Sequence, residues 1–122
     1  MIALLATIAA VAAPAPAAHV PGCNTAACDR RITDRFRRRV VRPYLPRLRR
    51  LEECESRGDL HATSPTGLYT GLHQFDDRTW HSVGGKGRAR DAGKLEQRYR
   101  AVLLIRSRGY APWPVCRGVI GV

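Results

Sequence analysis

The chain has 122 residues, which leaves room for one domain with a small hydrophobic core and argues against a multidomain protein. It carries 21 lysines and arginines against 10 acidic residues, a net charge of +11 at pH 7, and such an excess suits a polyanionic partner. Four cysteines in so short a chain are typical of a secreted, disulfide-bonded protein, because small cores usually need covalent support.

An apolar run opens the chain. Ile2 to Ala13 is too short to span a bilayer but has the length of a signal-peptide hydrophobic region, and Ala15-Pro16-Ala17 offers a cleavage site. We therefore predict a signal peptide over residues 1–18 and a secreted or cell-wall location. A hydrophobic N-terminal core helix is the alternative, and the prolines in this stretch argue against it.

A basic arm is predicted over residues 19–43. Residues 30–50 carry ten arginines against Asp34, a local net charge of +9, whereas residues 51–122 carry only +3. Ile32, Phe36 and Val40 recur every four residues, which favours a helix that lays this stripe on the domain. The arm suits a polyanion, namely nucleic acid, an anionic membrane surface or the anionic polymers of a cell wall, and for an exported protein the wall is the nearest of these. A solvated basic linker with no particular partner is the alternative interpretation.

Cys23 and Cys28 lie within this arm, five residues apart. They are able to close a small loop, bind a metal or pair elsewhere, and four cysteines permit three connectivities. A zinc site is disfavoured because no compact Cys/His set accompanies the pair. The four histidines lack metal-ligand spacing, so we expect no metal and no cofactor: His19, His61, His73 and His81.

A helix that follows Pro46 is predicted to carry a functional carboxylate. Leu48, Leu51 and Glu55 recur at helical spacing, and Glu55 projects about 20° from Leu48. With Gly58 as the expected residue after the helix end, Glu55 lies in the last turn, where apolar surroundings and the helix dipole both disfavour its ionised form. Such a carboxylic acid is able to donate a proton near neutral pH. Glu52 projects only about 60° away, so the helical geometry alone does not choose between the two.

The middle of the chain is predicted to be irregular. After a polar turn over residues 59–66, residues 67–75 have glycines and alternating character, which reads as a short hairpin or irregular β segment. Asp76 or Asp77 is then expected to be the N-cap of a second helix, with Trp80 packed inward.

The strongest helix prediction covers residues 94–108, which are apolar around much of the helical circumference and end at Gly109. The proline-rich segment after it is expected to wrap across the domain with Trp113 buried. Residues 118–122 are predicted to be a tail.

Taken in order, several motifs resemble the resuscitation-promoting-factor family of transglycosylase-like domains. The resemblance covers about residues 44–117, and its ordered set is specific although no single motif is. The motifs are Cys54-Glu55-Ser56-Arg57-Gly58-Asp59, the stretch from Thr66 to Phe75, Thr79-Trp80, Gly84-Gly85, Leu95-Glu96-Gln97 and Trp113-Pro114-Val115-Cys116.

The resemblance implies an α+β, lysozyme-like fold, mostly helical, with a short β-hairpin lining the cleft. It also implies a catalytic domain over residues 44–117, a Cys54–Cys116 disulfide that leaves Cys23 with Cys28, and one catalytic acid, Glu55. Peptidoglycan glycan strands would be the substrate, cleaved between N-acetylmuramic acid and N-acetylglucosamine. The expected substrate-binding residues are Gln74, Tyr69, Thr66, Asp59 and Trp80.

The sequence departs from the family pattern at Arg57, where a glycine is usual, and at Leu60, where a tryptophan is usual. Arg57 would weaken the acid if its guanidinium turned toward Glu55. A non-catalytic, cationic wall-binding or antimicrobial protein is therefore the main alternative to an enzyme. A nucleic-acid-binding module is less favoured, since the predicted export and disulfides argue against it. We expect a monomer.

Overall fold

The structure, a computed structural model, describes residues 25–122. The predicted signal peptide, and Cys23 of the predicted Cys23–Cys28 bridge, lie outside these residues. Within residues 25–122, five α-helices follow one another, with 3₁₀ turns at Arg42–Tyr44 and Ala89–Asp91. The helices are α1 (Ala26–Val41), α2 (Leu45–Ser56), α3 (Asp77–Ser82), α4 (Lys94–Arg108) and α5 (Cys116–Ile120). None of the helices among the described residues is long and apolar enough to cross a membrane.

The described part of the basic arm is helical from Ala26 to Val41, as its apolar stripe predicts. Thr25 caps α1 by accepting a hydrogen bond from the backbone N–H of Cys28 at 3.2 Å. On α4, the Tyr99 ring meets the edge of Phe36 at a centroid distance of 6.2 Å, and Arg37 lies 5.5 Å above the Tyr99 ring. The arm therefore packs on the domain and is not a solvated linker.

Helix α2 follows α1 directly through the 3₁₀ turn, and Pro46 occupies its first turn, where a missing N–H costs nothing. The helix ends after Ser56. Arg57 follows it with a left-handed φ of 55°, and Gly58, expected just beyond the helix end, comes next with φ 74°. Glu55 lies in the last turn, as predicted.

The predicted β-hairpin is wrong for the described residues, because residues 67–75 contain no β-strand. Only isolated antiparallel bridges form, from Thr70 to Thr63 and to Phe75. The backbone reverses at Gly67 and Gly71, which have φ values of 75° and 83°, and again at Gln74 with φ 50°. Extended runs between these turns are too short to make a ladder, so the segment is a compact loop.

An aromatic cluster forms the centre of the core. Phe75 contacts Trp80 and Trp113 edge-on, at centroid distances of 5.3 and 6.3 Å. The Trp80 ring lies against Gly85, where a Cβ atom would come within 2.2 Å of it. Trp80 Nε1 donates to the carbonyl of Lys86 at 3.0 Å, so this buried ring has its polar atom satisfied.

The C-terminal segment closes the domain. Cys54 at the end of α2 forms a disulfide with Cys116 at the start of α5, as the resemblance implies. Residues 118–122 do not form a detached tail, because α5 extends to Ile120 and that side chain is only 3% exposed.

Candidate active site

Glu55 lies in an open groove of about 460 Å³ between the end of α2 and the proline-rich segment. Tyr69 and Gln74 from the central loop line the same groove. The opposite wall is the run Pro112, Trp113, Pro114, Val115 and Cys116, which the disulfide joins to α2 next to Glu55. The disulfide thus links the two ends of the domain at the groove.

Partial burial raises the pKa of the Glu55 carboxyl above its ordinary value of 4.5. No positively charged side chain in the described part of the chain opposes this rise in the pKa of Glu55. Arg57, which follows the end of α2 with a left-handed backbone, is exposed. It makes no ion pair within residues 25–122. The proposed weakening of the acid by Arg57 is therefore not found in this structure.

Tyr69 and Gln74 are the two predicted substrate-binding residues that share the groove with Glu55. The Tyr69 side chain is 45% exposed and is available as a flat apolar surface. Gln74 Nε2 donates to the carbonyl of Gly71 at 3.0 Å, which fixes the amide at the turn where its backbone adopts φ 50°. Such a fixed amide and an exposed ring are the kinds of group that contact sugars.

The other three predicted residues do not line this groove. Thr66 is exposed and hydrogen-bonds within its own turn, to Ser64 Oγ at 3.2 Å. Asp59 is exposed and accepts from the backbone N–H of His61 at 2.8 Å. Trp80 has no exposed surface and serves the core. In this structure Thr66 and Asp59 therefore stabilise turns, and Trp80 packs in the core.

Glu52, the alternative to Glu55 that the helical pattern left open as the functional carboxylate, lies in a buried ion pair. Arg98 of α4 binds it with two hydrogen bonds, of 2.8 and 2.9 Å. Burial alone would raise the pKa of Glu52, but the close approach of Arg98 and His73 outweighs it and lowers the pKa to about 2. Glu52 is therefore ionised at neutral pH and is not a proton donor.

His73 completes this buried group and connects it to the groove. Its Nε2 lies 3.2 Å from Glu52 Oε1, in poor alignment for a hydrogen bond, and its Nδ1 has no partner among the described residues. Burial lowers the pKa of His73, and the attraction of Glu52 opposes that change. The His73 carbonyl accepts a hydrogen bond from Trp113 Nε1 at 2.8 Å, so the groove wall is fastened to the residue before Gln74.

Neither His73 nor Arg98 was a candidate in the sequence. Arg98 is four residues from the start of a helix that carries several arginines, and the spacing does not indicate that it reaches Glu52, 46 residues earlier. The available signal was weak: Glu52 is the second carboxylate on the apolar side of α2, and a buried carboxylate requires a cation.

A second, smaller pocket of about 170 Å³ adjoins the groove and shares Tyr69, Gln74 and Trp113 with it. It contains a carboxylate, Asp76, which caps α3 as predicted by accepting from both the N–H and the hydroxyl of Thr79 at 2.8 Å. Burial would raise the pKa of Asp76, but these hydrogen bonds lower it. Asp76 is thus ionised and caps α3. Glu55 is the carboxyl group that lines the groove of about 460 Å³.

Within residues 25–122 no set of three or more His, Cys, Asp or Glu side chains is placed to hold a metal ion. The groove instead offers one carboxyl group with a raised pKa, an aromatic surface and a fixed amide. These groups suit acid catalysis on a carbohydrate, because a sugar ring stacks on an aromatic face while an acid protonates its glycosidic oxygen.

The fold and the groove together define a small, disulfide-bonded helical domain of the lysozyme-like kind, with the partly buried Glu55 in its groove. The chain belongs to the transglycosylase-like domain family, which matches residues 44–116. The boundary leaves α1 outside the matched region.

Curated relatives agree with this assignment. The chain is 40% identical over 73 residues to resuscitation-promoting factor Rpf of Micrococcus luteus, which covers 60% of this chain and 32% of the relative. It is 39% identical over 66 residues to resuscitation-promoting factor RpfE of Mycobacterium tuberculosis, covering 54% and 38% respectively. With RpfB of Mycolicibacterium smegmatis it shares 38% identity over 74 residues, covering 58% and 20%. The chain thus spans less than half the length of these relatives.

Proposed function

We propose that the protein cleaves peptidoglycan at the β-1,4 bond between N-acetylmuramic acid and N-acetylglucosamine, with Glu55 as the single general acid and base. The observation that supports this most directly is the position of Glu55. It is the carboxyl group in a groove that also presents Tyr69 and Gln74, and its pKa is raised by burial. Membership of the transglycosylase-like family supplies the substrate class.

In the proposed reaction, protonated Glu55 gives its proton to the glycosidic oxygen while positive charge develops at the muramoyl C1 carbon. Tyr69 stacks against a sugar ring and the Gln74 amide binds an N-acetyl or hydroxyl group. The Glu55 carboxylate then accepts a proton from the nucleophile. If the muramoyl C6 hydroxyl attacks, a 1,6-anhydro product forms, and if water attacks, a reducing end forms.

A substitution that removes the acidic proton of Glu55 and keeps the shape of the side chain tests this proposal. In zymograms on peptidoglycan, we expect Glu55→Gln to lose nearly all lytic activity, by a factor of about 10² or more. Glu53→Gln is the matched control, because it removes a carboxylate from the exposed side of the same helix turn and is expected to retain full activity. Lysis by Glu55→Gln at the wild-type rate would instead favour a non-catalytic cationic wall-binding protein.

Mass spectrometry of the wild-type products separates the two forms of the reaction. Anhydromuropeptides indicate transglycosylation, and reducing muropeptides indicate hydrolysis. The proposal includes action outside the cytoplasm, which the Cys54–Cys116 disulfide favours because such bonds persist in oxidising compartments.

A further inference from the structure

A second groove, of about 480 Å³, lies where the basic arm meets the domain. It shares no residue with the groove that contains Glu55. Three of its lining residues precede the region that matches the transglycosylase-like family, and the others belong to that region. The lining residues are Arg38, Val41, Arg42, Leu45, Lys94, Leu95 and Arg98. The groove is therefore built jointly by the arm and the domain.

The rim of this groove carries positive charge without counter-charge. Arg38, Arg42 and Lys94 are exposed and form no ion pair with any residue in the described part of the chain. Arg98 differs, because its guanidinium is held by Glu52. Three cations thus surround the groove and remain available to an anionic ligand.

The floor of the groove is aliphatic. Val41 is buried and Leu45 and Leu95 are partly buried, and all three face the groove. None of the described residues that line it is aromatic. A ligand that fills this groove therefore needs anionic groups for the rim and short aliphatic segments for the floor.

The positive rim continues along α1. Arg31 and Arg35 line a shallower groove of about 320 Å³, which shares Arg38 with the groove of about 480 Å³. Arg31, Arg35, Arg38 and Arg42 follow at intervals of four, three and four residues. Positions with this spacing lie on one side of a helix, and the row is about 16 Å long at 1.5 Å per residue. Asp34 is the carboxylate within the shallower groove.

We propose that this row of arginines and the groove at its end bind a linear anionic polymer of polyol units joined by phosphodiesters. Repeated phosphates match the evenly spaced arginines, and the polyol carbons match the aliphatic floor. Single-stranded nucleic acid fits less well, because its bases require aromatic stacking surfaces that this lining lacks. A bilayer is flat and does not enter a groove. This binding does not depend on the cleavage reaction.

Affinity for a glycerol phosphate oligomer of about ten units tests the proposal, with the full chain, its disulfides intact and about 0.1 M salt. We expect the groove variant Arg38→Gln/Arg42→Gln/Lys94→Gln to weaken binding at least about tenfold, since each lost phosphate contact also reduces counterion release. The matched variant Arg30→Gln/Arg39→Gln/Arg49→Gln removes the same charge from exposed positions outside both grooves, and we expect a loss of less than about threefold.

Equal losses of affinity in the two variants would overturn the proposal, because they would show that the oligomer binds through non-specific charge attraction. It would also be overturned if an oligonucleotide of equal charge, or phosphatidylglycerol vesicles, bound more tightly than the oligomer and lost affinity only in the groove variant. Both variants are expected to cleave phosphate-free peptidoglycan at the wild-type rate, so this result is independent of whether Glu55 is the catalyst.

Discussion

Glu52 and Glu55 lie one turn apart on α2, and their surroundings shift their two pKa values in opposite directions. Burial without a counter-charge raises the pKa of Glu55, whereas Arg98 lowers the pKa of Glu52 to about 2. The sequence places both on the apolar side of the helix, but it does not show which one meets a cation, because Arg98 comes from a distant helix. Opposite shifts of this kind separate a proton donor from a structural ion.

The raised pKa of Glu55 predicts the pH dependence of cleavage. In the proposed reaction the protonated form of Glu55 is the active acid, so kcat/KM should fall as pH rises through the pKa of Glu55 in the free protein, at a pH above the ordinary value of 4.5. Initial rates on soluble peptidoglycan fragments between about pH 4 and pH 8 measure this fall. A decline centred at or below the ordinary glutamate pKa would contradict the assignment of Glu55 as the acid.

The lowered pKa of Glu52 predicts a pH dependence of stability. A carboxylate whose pKa is depressed on folding stabilises the fold above its unfolded pKa, and that contribution is lost as pH falls. The shift from 4.5 to about 2 corresponds to roughly 3 kcal/mol, lost between about pH 4.5 and pH 2. We expect Glu52→Gln to lower the free energy of unfolding at pH 7 by about this amount, and to flatten its dependence on pH in that range.

Urea unfolding at several pH values measures both effects, with Glu53→Gln as the control. The exposed control is expected to change stability by less than about 0.5 kcal/mol. If Glu52→Gln unfolded with the same pH dependence as the wild type, the Glu52–Arg98 pair would not be the source of acid sensitivity.

At the scale of elements, helices were easier to predict than the loop between them. The apolar pattern predicted α4 at residues 94–108, as observed, because a long run of period 3.6 is a strong signal. Residues 67–75 form a loop that turns at glycines and buries four consecutive residues, Thr70 to His73, so their alternating character did not indicate a strand. Gln74 has a positive φ, which no pattern of residue types indicates.

Gly85 carries a testable prediction about the loop after α3. An added Cβ would lie 2.2 Å from the Trp80 ring, which is rigid and fully buried, so Gly85→Ala must displace the ring or the backbone. We expect a loss of about 1–3 kcal/mol in the free energy of unfolding. Gly118→Ala is the control, because an added Cβ there meets no atom within 4 Å and the site lies in α5.

Thermal unfolding followed by circular dichroism compares these variants. Gly118→Ala is expected to keep or raise the melting temperature, since alanine favours a helix over glycine by up to about 1 kcal/mol. A melting temperature for Gly85→Ala equal to that of the wild type would show that the contact with Trp80 is not close in solution.

At the scale of the whole molecule, one disulfide joins Cys54, the residue next to Glu55, to the opposite wall of the groove. Cys54 immediately precedes Glu55, and Cys116 follows the Trp113-Pro114-Val115 wall, so the bond links the two sides of the groove lining. The wall has one further hydrogen bond to the central loop, from Trp113 to the His73 carbonyl. The resemblance implied the pairing, but the consequence for the groove required the positions of α2 and α5.

Removing this disulfide should therefore cost both stability and activity. Cys54 and Cys116 are 62 residues apart, and opening a loop of that length is expected to lower the free energy of unfolding by about 4 kcal/mol through chain entropy. Such a loss approaches the whole stability of many small domains. We expect Cys54→Ala/Cys116→Ala to unfold at a markedly lower temperature and, below it, to cleave peptidoglycan more slowly. Wild-type protein treated with a reductant should show the same losses of stability and activity. If the folded variant and the folded, reduced wild type both kept full activity, the groove would hold its shape without the disulfide.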